Sequence, residues 1–218
     1  MSLKSRILDF FFPPRCAFCG RLLDRSGDGM CDACRETLPR TDDIELRCDF
    51  VRAYTAPFYY EEPVRHAMLT YKFNNAPARG AVFGRLIGED LLRRGITDID
   101  MISWIPLSAK RKHKRGYDQA QLLAEAAAKV LGMEAVPVLR KARDVPPQST
   151  LHTAEERRAN ISGCYVVRSA EAVRGKNILL IDDIITTGST LSECARMLIT
   201  AGAASVRGAA VACKRNSK

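Results

Sequence analysis

The sequence predicts an α/β protein with one open, mainly parallel sheet flanked by helices, preceded by a small four-cysteine module. Three observations carry this. The chain has 218 residues, 46% of them apolar, enough for one α/β domain and a small appendage and too apolar for a disordered chain. Short β-branched runs, above all Ile178-Leu179-Leu180-Ile181, are spaced among stretches of helical periodicity. A run that short is most simply a parallel strand covered on both faces. Finally, four of the eight cysteines form two Cys-x-x-Cys pairs near the amino terminus. The expected division is 1–48 for the module and a connector, and 49–218 for the α/β domain.

Met1 to Phe12 joins basic residues to Ile7-Leu8-Asp9-Phe10-Phe11-Phe12. The apolar part is broken by Asp9 and ends at Pro13-Pro14 without a small-residue cleavage pattern. It reads as a short amphipathic lead-in and not as a signal peptide; peripheral membrane contact through the phenylalanines is the lesser alternative. No apolar run approaches the length of a membrane span. Eight cysteines without a secretion signal point to a reducing compartment, the cytoplasm, and to metal in place of disulfides.

Cys16-x-x-Cys19 and Cys31-x-x-Cys34 are two knuckles separated by eleven residues. Four thiolates close a tetrahedral Zn²⁺ site, and Gly20 permits the tight turn of the first knuckle. So short a segment has almost no core of its own, so bound metal supplies its folding energy. Four cysteines leave no open position, which makes the site structural. A redox pair or an iron–sulfur cluster are the competing readings. Cys48 stands alone, either replacing one ligand or simply buried. Cys164, Cys194 and Cys213 read as core thiols.

Residues 35–49 form a polar connector. Arg52 to Tyr60, rich in aromatic and β-branched residues, reads as one or two strands. Residues 62–73 and 78–94 have helical periodicity, with Val82, Leu86, Leu91 and Leu92 on the second. Tyr71-Lys72-Phe73 closes the first helix, and Lys72 reads as a surface lysine snorkelling between aromatics. Met101 to Leu107 is a buried strand. The densest positive charge follows it, a basic loop from Lys110 to Gln119, and then a helix from about Ala120 to Leu131. Charge alone would make this a solvated run. Its place is what marks it, because open parallel sheets bind ligands beyond the carboxyl ends of their strands. His113 is given no role. Val136 to Leu139 is a short strand. Residues 140–160 form a long polar stretch of the kind that serves as a lid, with Thr153 and Glu156 placed as a capping box. Ser205 to Cys213 is the last strand.

Residues 178–190 carry the most chemistry. The apolar strand ends at Asp182-Asp183, a turn of Thr186, Thr187, Gly188, Ser189 and Thr190 follows, and an apolar-periodic run begins at Leu191. A hydroxyl-rich turn at a helix start suits a phosphate, because unpaired N–H groups and the helix dipole point the same way. Two adjacent carboxylates repel unless something neutral or cationic lies between them. Ribose hydroxyls and Mg²⁺ both fit. Neither a Walker A sequence nor a G-x-G-x-x-G fingerprint is present. An excess of 34 basic over 25 acidic residues, a net +9, favours an anionic partner without choosing between a phosphorylated small molecule and nucleic acid.

This stretch resembles the phosphoribosyl-pyrophosphate-binding motif of type I phosphoribosyltransferases. The resemblance implies that Thr186–Thr190 hold the ribose phosphate, that Asp182 and Asp183 hold the ribose hydroxyls, and that residues 49–218 form a phosphoribosyltransferase-like domain. The combination with Cys16-Ala17-Phe18-Cys19-Gly20, Cys31-Asp32-Ala33-Cys34, Tyr71-Lys72-Phe73, the basic run Arg111 to Gln119, and Gln148 through Arg157-Arg158-Ala159-Asn160 resembles the ComF/GntX family over nearly the whole chain. Two departures stand out. Many relatives have a further cysteine pair where this chain has Cys48 alone. Tyr117-Asp118-Gln119 replaces the usual Phe-Asn-Gln, which adds a negative charge beside the presumed anion site.

If the chain is a transferase, pyrophosphate leaves the anomeric carbon, positive charge develops on the ribose ring, and a nitrogen nucleophile attacks. Arg111, Lys114 and Arg115, with Mg²⁺, are the candidates for gripping pyrophosphate. Arg143 and Arg157 would close over the site with their segment, and Asp182 or Asp183 would help stabilise the ring cation. No base-binding hood is recognisable. Three functions remain open: an enzyme with a nucleobase or amine acceptor, a single-stranded DNA-handling protein working with competence-machinery proteins, and a sensor of phosphoribosyl pyrophosphate. The family resemblance implies the second, and the basic charge beside aromatics agrees with it.

Overall fold

The computed structural model describes residues 13–24, 28–41, 46–74, 76–145 and 153–215, without the side chains of 154, 155, 157 and 158. The amino-terminal lead-in and Gln148 lie outside the described residues.

A five-stranded sheet runs through the middle in the order β1 (Leu46–Cys48), β2 (Val51–Thr55), β9 (Ser205–Ala209), β7 (Asn177–Ile181), β4 (Met101–Trp104). Only the β1–β2 pairing is antiparallel; the other three are parallel. β7 lies between β9 and β4, with Ile178 opposite Val206 on one side and Met101 on the other. Alternate residues of a strand face opposite sides. Accordingly Leu179 and Ile181 enter one apolar core, and Ile178 and Leu180 enter the other.

The first core is covered by α2 (Val64–Phe73), α3 (Arg79–Arg93) and α5 (Gln119–Val130). Gly80, Gly84 and Gly88 recur every fourth residue on α3, where α5 crosses. A Cβ at Gly84 would come within 2.5 Å of Ala126 Cβ and of the Leu123 carbonyl oxygen, so the close approach depends on the missing side chain. The second core is covered by α8 (Ser189–Thr200), α7 (Ala170–Val173) and the antiparallel pair β5 (Leu139–Lys141) and β6 (Tyr165–Val167).

Three strands of the sheet break near their carboxyl ends. After two residues each resumes as a short strand: β2 as β3 (Phe58–Tyr59), β7 as β8 (Ile184–Ile185), and β9 as β10 (Ala212–Cys213). These form a second parallel sheet in the order β3-β10-β8. The expected continuous strand 205–213 is therefore two strands in two sheets. The Asp182-Asp183 pair is the break in β7. Its backbone is still paired: Asp182 N–H donates to the Ala209 carbonyl at 3.0 Å, and Val211 N–H to the Asp183 carbonyl at 3.2 Å.

The basic run is not a loop. Residues Ala109–Arg115 form a helix, α4, because Ser108 caps its start by accepting from Arg111 N–H and Gly116 ends it in the left-handed conformation (φ 81°). The predicted strand 136–139 shifts to Leu139–Lys141 and pairs with β6, while Ala135 makes an isolated bridge to Ile102. Within 140–160, α6 (Ala154–Ile161) starts at the expected capping box. Thr153 N–H donates to Glu156 Oε2 at 2.9 Å, and Glu156 N–H to Thr153 Oγ1 at 3.0 Å.

The cysteine module ends in α1 (Asp32–Thr37). It is fused to the first core through Phe18, which packs edge-on against Phe58 and Phe83 with centroids 5.3 and 5.2 Å away.

Candidate functional site

The apolar residues of β7 are buried up to Ile181, and the chain then opens into the Thr186–Thr190 bend. Asp182, Ile184, Ile185 and Thr186 to Leu191 line one open concavity with about 270 Å³ of empty space. Gly188 is the N-cap of α8 and adopts φ 71°, which favours glycine. Thr187 Oγ1 and Ser189 Oγ lie 2.9 Å apart, and Ser192 N–H closes the first helical turn on the Gly188 carbonyl at 2.8 Å. The first N–H groups of a helix have no partner within it, so this bend presents donors and the positive dipole end toward the concavity. An oxyanion is the natural occupant.

The two acids diverge. Asp182 Oδ1 accepts from the Asp183 N–H at 2.7 Å. Burial, and then the adjacent Asp183 carboxylate, push the Asp182 carboxyl up to about 7. Asp183 meets a partner that the sequence reading assigned to solvent: Lys72 Nζ lies 2.8 Å from Asp183 Oδ1, with the two side chains only 20% and 14% exposed. Lys72 is thus part of the site and not a snorkelling surface residue. The signal was there in the helix phase. Lys72 stands four and eight residues after Met68 and Val64, both fully buried, so it lies on the inward face of α2.

The basic candidates are differently occupied. α4 follows β4, the neighbour of β7, and so stands at the same carboxyl edge of the sheet as the Asp182–Thr190 bend. Arg111 turns to the start of the 140–160 segment, donating to the Val145 carbonyl and lying 3.8 Å from Asp144 Oδ1. Arg115 donates to Gln119 Oε1 at 2.8 Å and stacks over the exposed ring of Phe73, 5.1 Å from its centroid. Lys114 is exposed. Arg143 donates to the Ser162 carbonyl at 2.6 Å, joining the two ends of the polar segment. Arg157 lies on α6, and its side chain is outside the described residues.

Asp118 does not put an open charge beside the anion site. It is 4% exposed and caps α5, accepting from Leu107 N–H at 2.9 Å and Gln121 N–H at 3.4 Å. Burial raises its carboxyl above the ordinary aspartate value. An aspartate just before a helical run is a recognisable N-cap signal.

The four cysteines converge. All four Sγ atoms of Cys16, Cys19, Cys31 and Cys34 lie within 4.8 Å of one another. Zn–S bonds of about 2.3 Å in a tetrahedron need sulfurs roughly 3.8 Å apart, and Cys19 and Cys31 stand at 3.6 Å. Burial works against ionising Cys16, but backbone N–H groups of Cys19, Cys31 and Phe18 outweigh it and hold the thiol down to about 7. Burial and the other three thiols push Cys34 up. Four crowded thiolates need a cation among them, and this donor set fits Zn²⁺. Cys48 is not among the ligands. It packs against the phosphate-type bend, its Sγ 3.1 Å from where a Cβ on Gly188 would stand.

The chain matches the phosphoribosyl transferase domain family over residues 118–218 and the double zinc ribbon domain over residues 7–51. It is 30% identical over 196 residues to competence protein ComFC of Streptococcus pneumoniae, an alignment covering 88% of this chain and 84% of that protein. It is 27% identical to DNA utilization protein YhgH of Salmonella typhimurium, covering 89% and 95% of the two chains. Competence protein F of Haemophilus influenzae is 25% identical, covering 86% and 92%. The fold is therefore a phosphoribosyltransferase-type α/β domain with a zinc-ribbon module, and the four-cysteine cluster is its structural zinc site. No helix among the described residues is long and apolar enough to cross a membrane.

Proposed function

This chain belongs to the ComF family of competence proteins, and from that premise we propose that it binds phosphoribosyl pyrophosphate and serves the cytoplasmic handling of single-stranded DNA during DNA uptake. One observation carries the reading of the pocket: Asp182, the first of the acid pair, and an oxyanion-type helix N-terminus line a single concavity at the carboxyl edge of a parallel sheet. In this reading Asp182 and Asp183 accept from the ribose hydroxyls. The Thr186–Thr190 bend takes the 5′-monoester. Lys114, Arg111 and Arg115 face the diphosphate, whose charge Mg²⁺ neutralises when bound. Arg143 and Arg157 belong to the segment that closes over the pocket. The names of the relatives, competence and DNA utilization proteins, support the role in DNA handling.

A second reading, phosphoribosyl transfer to a nitrogen acceptor, is favoured by Asp182. A carboxyl poised at about 7 is matched to taking a proton near neutral pH.

The deciding experiment is calorimetric titration of phosphoribosyl pyrophosphate with Mg²⁺ into the parent chain and into Asp182→Asn/Asp183→Asn. The expected result is micromolar-class binding in the parent and none in the folded double variant. Equal affinity in both removes the acid pair from the site. Oligonucleotide binding that falls steeply with salt and survives in the double variant supports a separate nucleic-acid surface; absence of any such binding refutes the DNA half of the proposal.

A further inference from the structure

We infer that Lys72 is a positioning residue of the acid pair, holding Asp183 as an oriented acceptor beside the pocket with its Oδ1 engaged. The inference rests on the reading of that pocket as a sugar-phosphate site. The 2.8 Å contact between Lys72 Nζ and Asp183 Oδ1 is shielded, at 20% and 14% side-chain exposure. Solvated pairs such as Arg65–Glu62, at 54% and 61%, contribute little to geometry. Lys72 itself is anchored on both sides. Buried Tyr71 donates from its hydroxyl to the Gln119 carbonyl at 2.9 Å, and Tyr117 donates to the Tyr71 carbonyl. Phe73 lies under the Arg115 guanidinium. The Tyr71-Lys72-Phe73 turn therefore has one residue in the core, one on the acid pair and one under the basic helix. The ammonium is delivered to a set place.

The charges around it show why it is needed. Asp183 faces Asp182 in its own turn, Asp118 from α5, and the Tyr71 phenol and Lys72 from α2. Asp182 faces Tyr165 from β6 and Cys194 from α8 as well. Lys112 acts on Asp118, and Lys72 is the cation in contact with Asp183. Without it, Asp183 would stand near the Asp182 and Asp118 carboxyls with no ammonium in contact, and a carboxyl that holds its proton is a poorer acceptor for a sugar hydroxyl.

Two variants and two measurements test this. Lys72→Met keeps the stem and removes the charge; Lys72→Arg keeps the charge. Calorimetry with phosphoribosyl pyrophosphate and Mg²⁺ should show about a tenfold or larger loss for Lys72→Met, the equivalent of one displaced pKa unit, and most of the affinity restored in Lys72→Arg. In the ligand-free protein, the carboxyl ¹³C titration of Asp182 should move upward in Lys72→Met and stay near the parent position in Lys72→Arg. Parent-like affinity with an unmoved Asp182 titration in Lys72→Met overturns the inference. Equal weakening in both variants with no titration shift also overturns it, since that is packing alone. A parent chain that binds no phosphoribosyl pyrophosphate refutes the pocket reading only, and the ligand-free titration then still decides the role of Lys72.

Discussion

Asp182→Asn alone should stabilise the ligand-free protein at pH 8 while removing the sugar binding proposed for this pocket. The Asp182 carboxyl titrates at about 7 in the fold against 3.8 ordinarily, driven first by burial and then by Asp183. The folded state therefore holds that proton more tightly than the unfolded chain. Stability from this group is present at low pH and is lost as pH rises between about 4 and about 7. At pH 8 the ionised group costs folding roughly 4 kcal/mol at most. Solvent screening on the open side of the pocket reduces this to about 2 kcal/mol. Asparagine is neutral, nearly isosteric, and retains the Oδ1 acceptor for the Asp183 N–H. The variant should thus melt roughly 4–8 °C higher than the parent at pH 8. At pH 5 the gain should be smaller, because only part of the interval between 3.8 and about 7 has been crossed. Calorimetric melting of both proteins with excess zinc at the two pH values gives the comparison, and effects of pH on the cysteine site cancel in the difference. A variant less stable than the parent at pH 8, or a gain equal at both pH values, would refute the reasoning. A stabilising substitution at a binding residue is the signature of a strained functional group.

Chelating the zinc should lower the melting temperature of the whole protein, not merely fray its amino terminus. Phe18 belongs to the main core beside Phe58 and Phe83, and uncovering one such ring forfeits about 2–3 kcal/mol; a single melting transition unmoved by chelator, with no zinc found by elemental analysis, would contradict this. Gly84→Ala should destabilise by about 1–3 kcal/mol in chemical denaturation, because the added Cβ would meet Ala126 and the Leu123 carbonyl at 2.5 Å and the gain in helix propensity is smaller.

Much of this was legible in local chemistry. The run Asn177–Ile181 is a strand because four branched residues need burial on both faces, and the structure buries all four. The capping box at Thr153 and Glu156 and the helix over Arg79–Arg93 follow from spacing alone. The basic run was misread as a loop because its charge pattern has no apolar period. Ser108 and Gly116 had signalled a capped helix. Asp118 was expected to add a negative charge beside the anion site, because a cap and an open acid look alike until burial is known.

By itself, then, the sequence determined what is written in adjacent residues: the acid pair, the hydroxyl-rich bend on a helix start, the four thiols and the class of sheet that aligns them. These depend on spacing of a few residues, where backbone geometry leaves little choice. The tertiary structure alone decided which distant groups meet. It brought Lys72 to Asp183 from 111 positions away, set Cys48 against Gly188, and broke three strands side by side so that the acids stand at a split in the sheet. Such meetings arise from how helices pack across a shared core, and no local pattern encodes them.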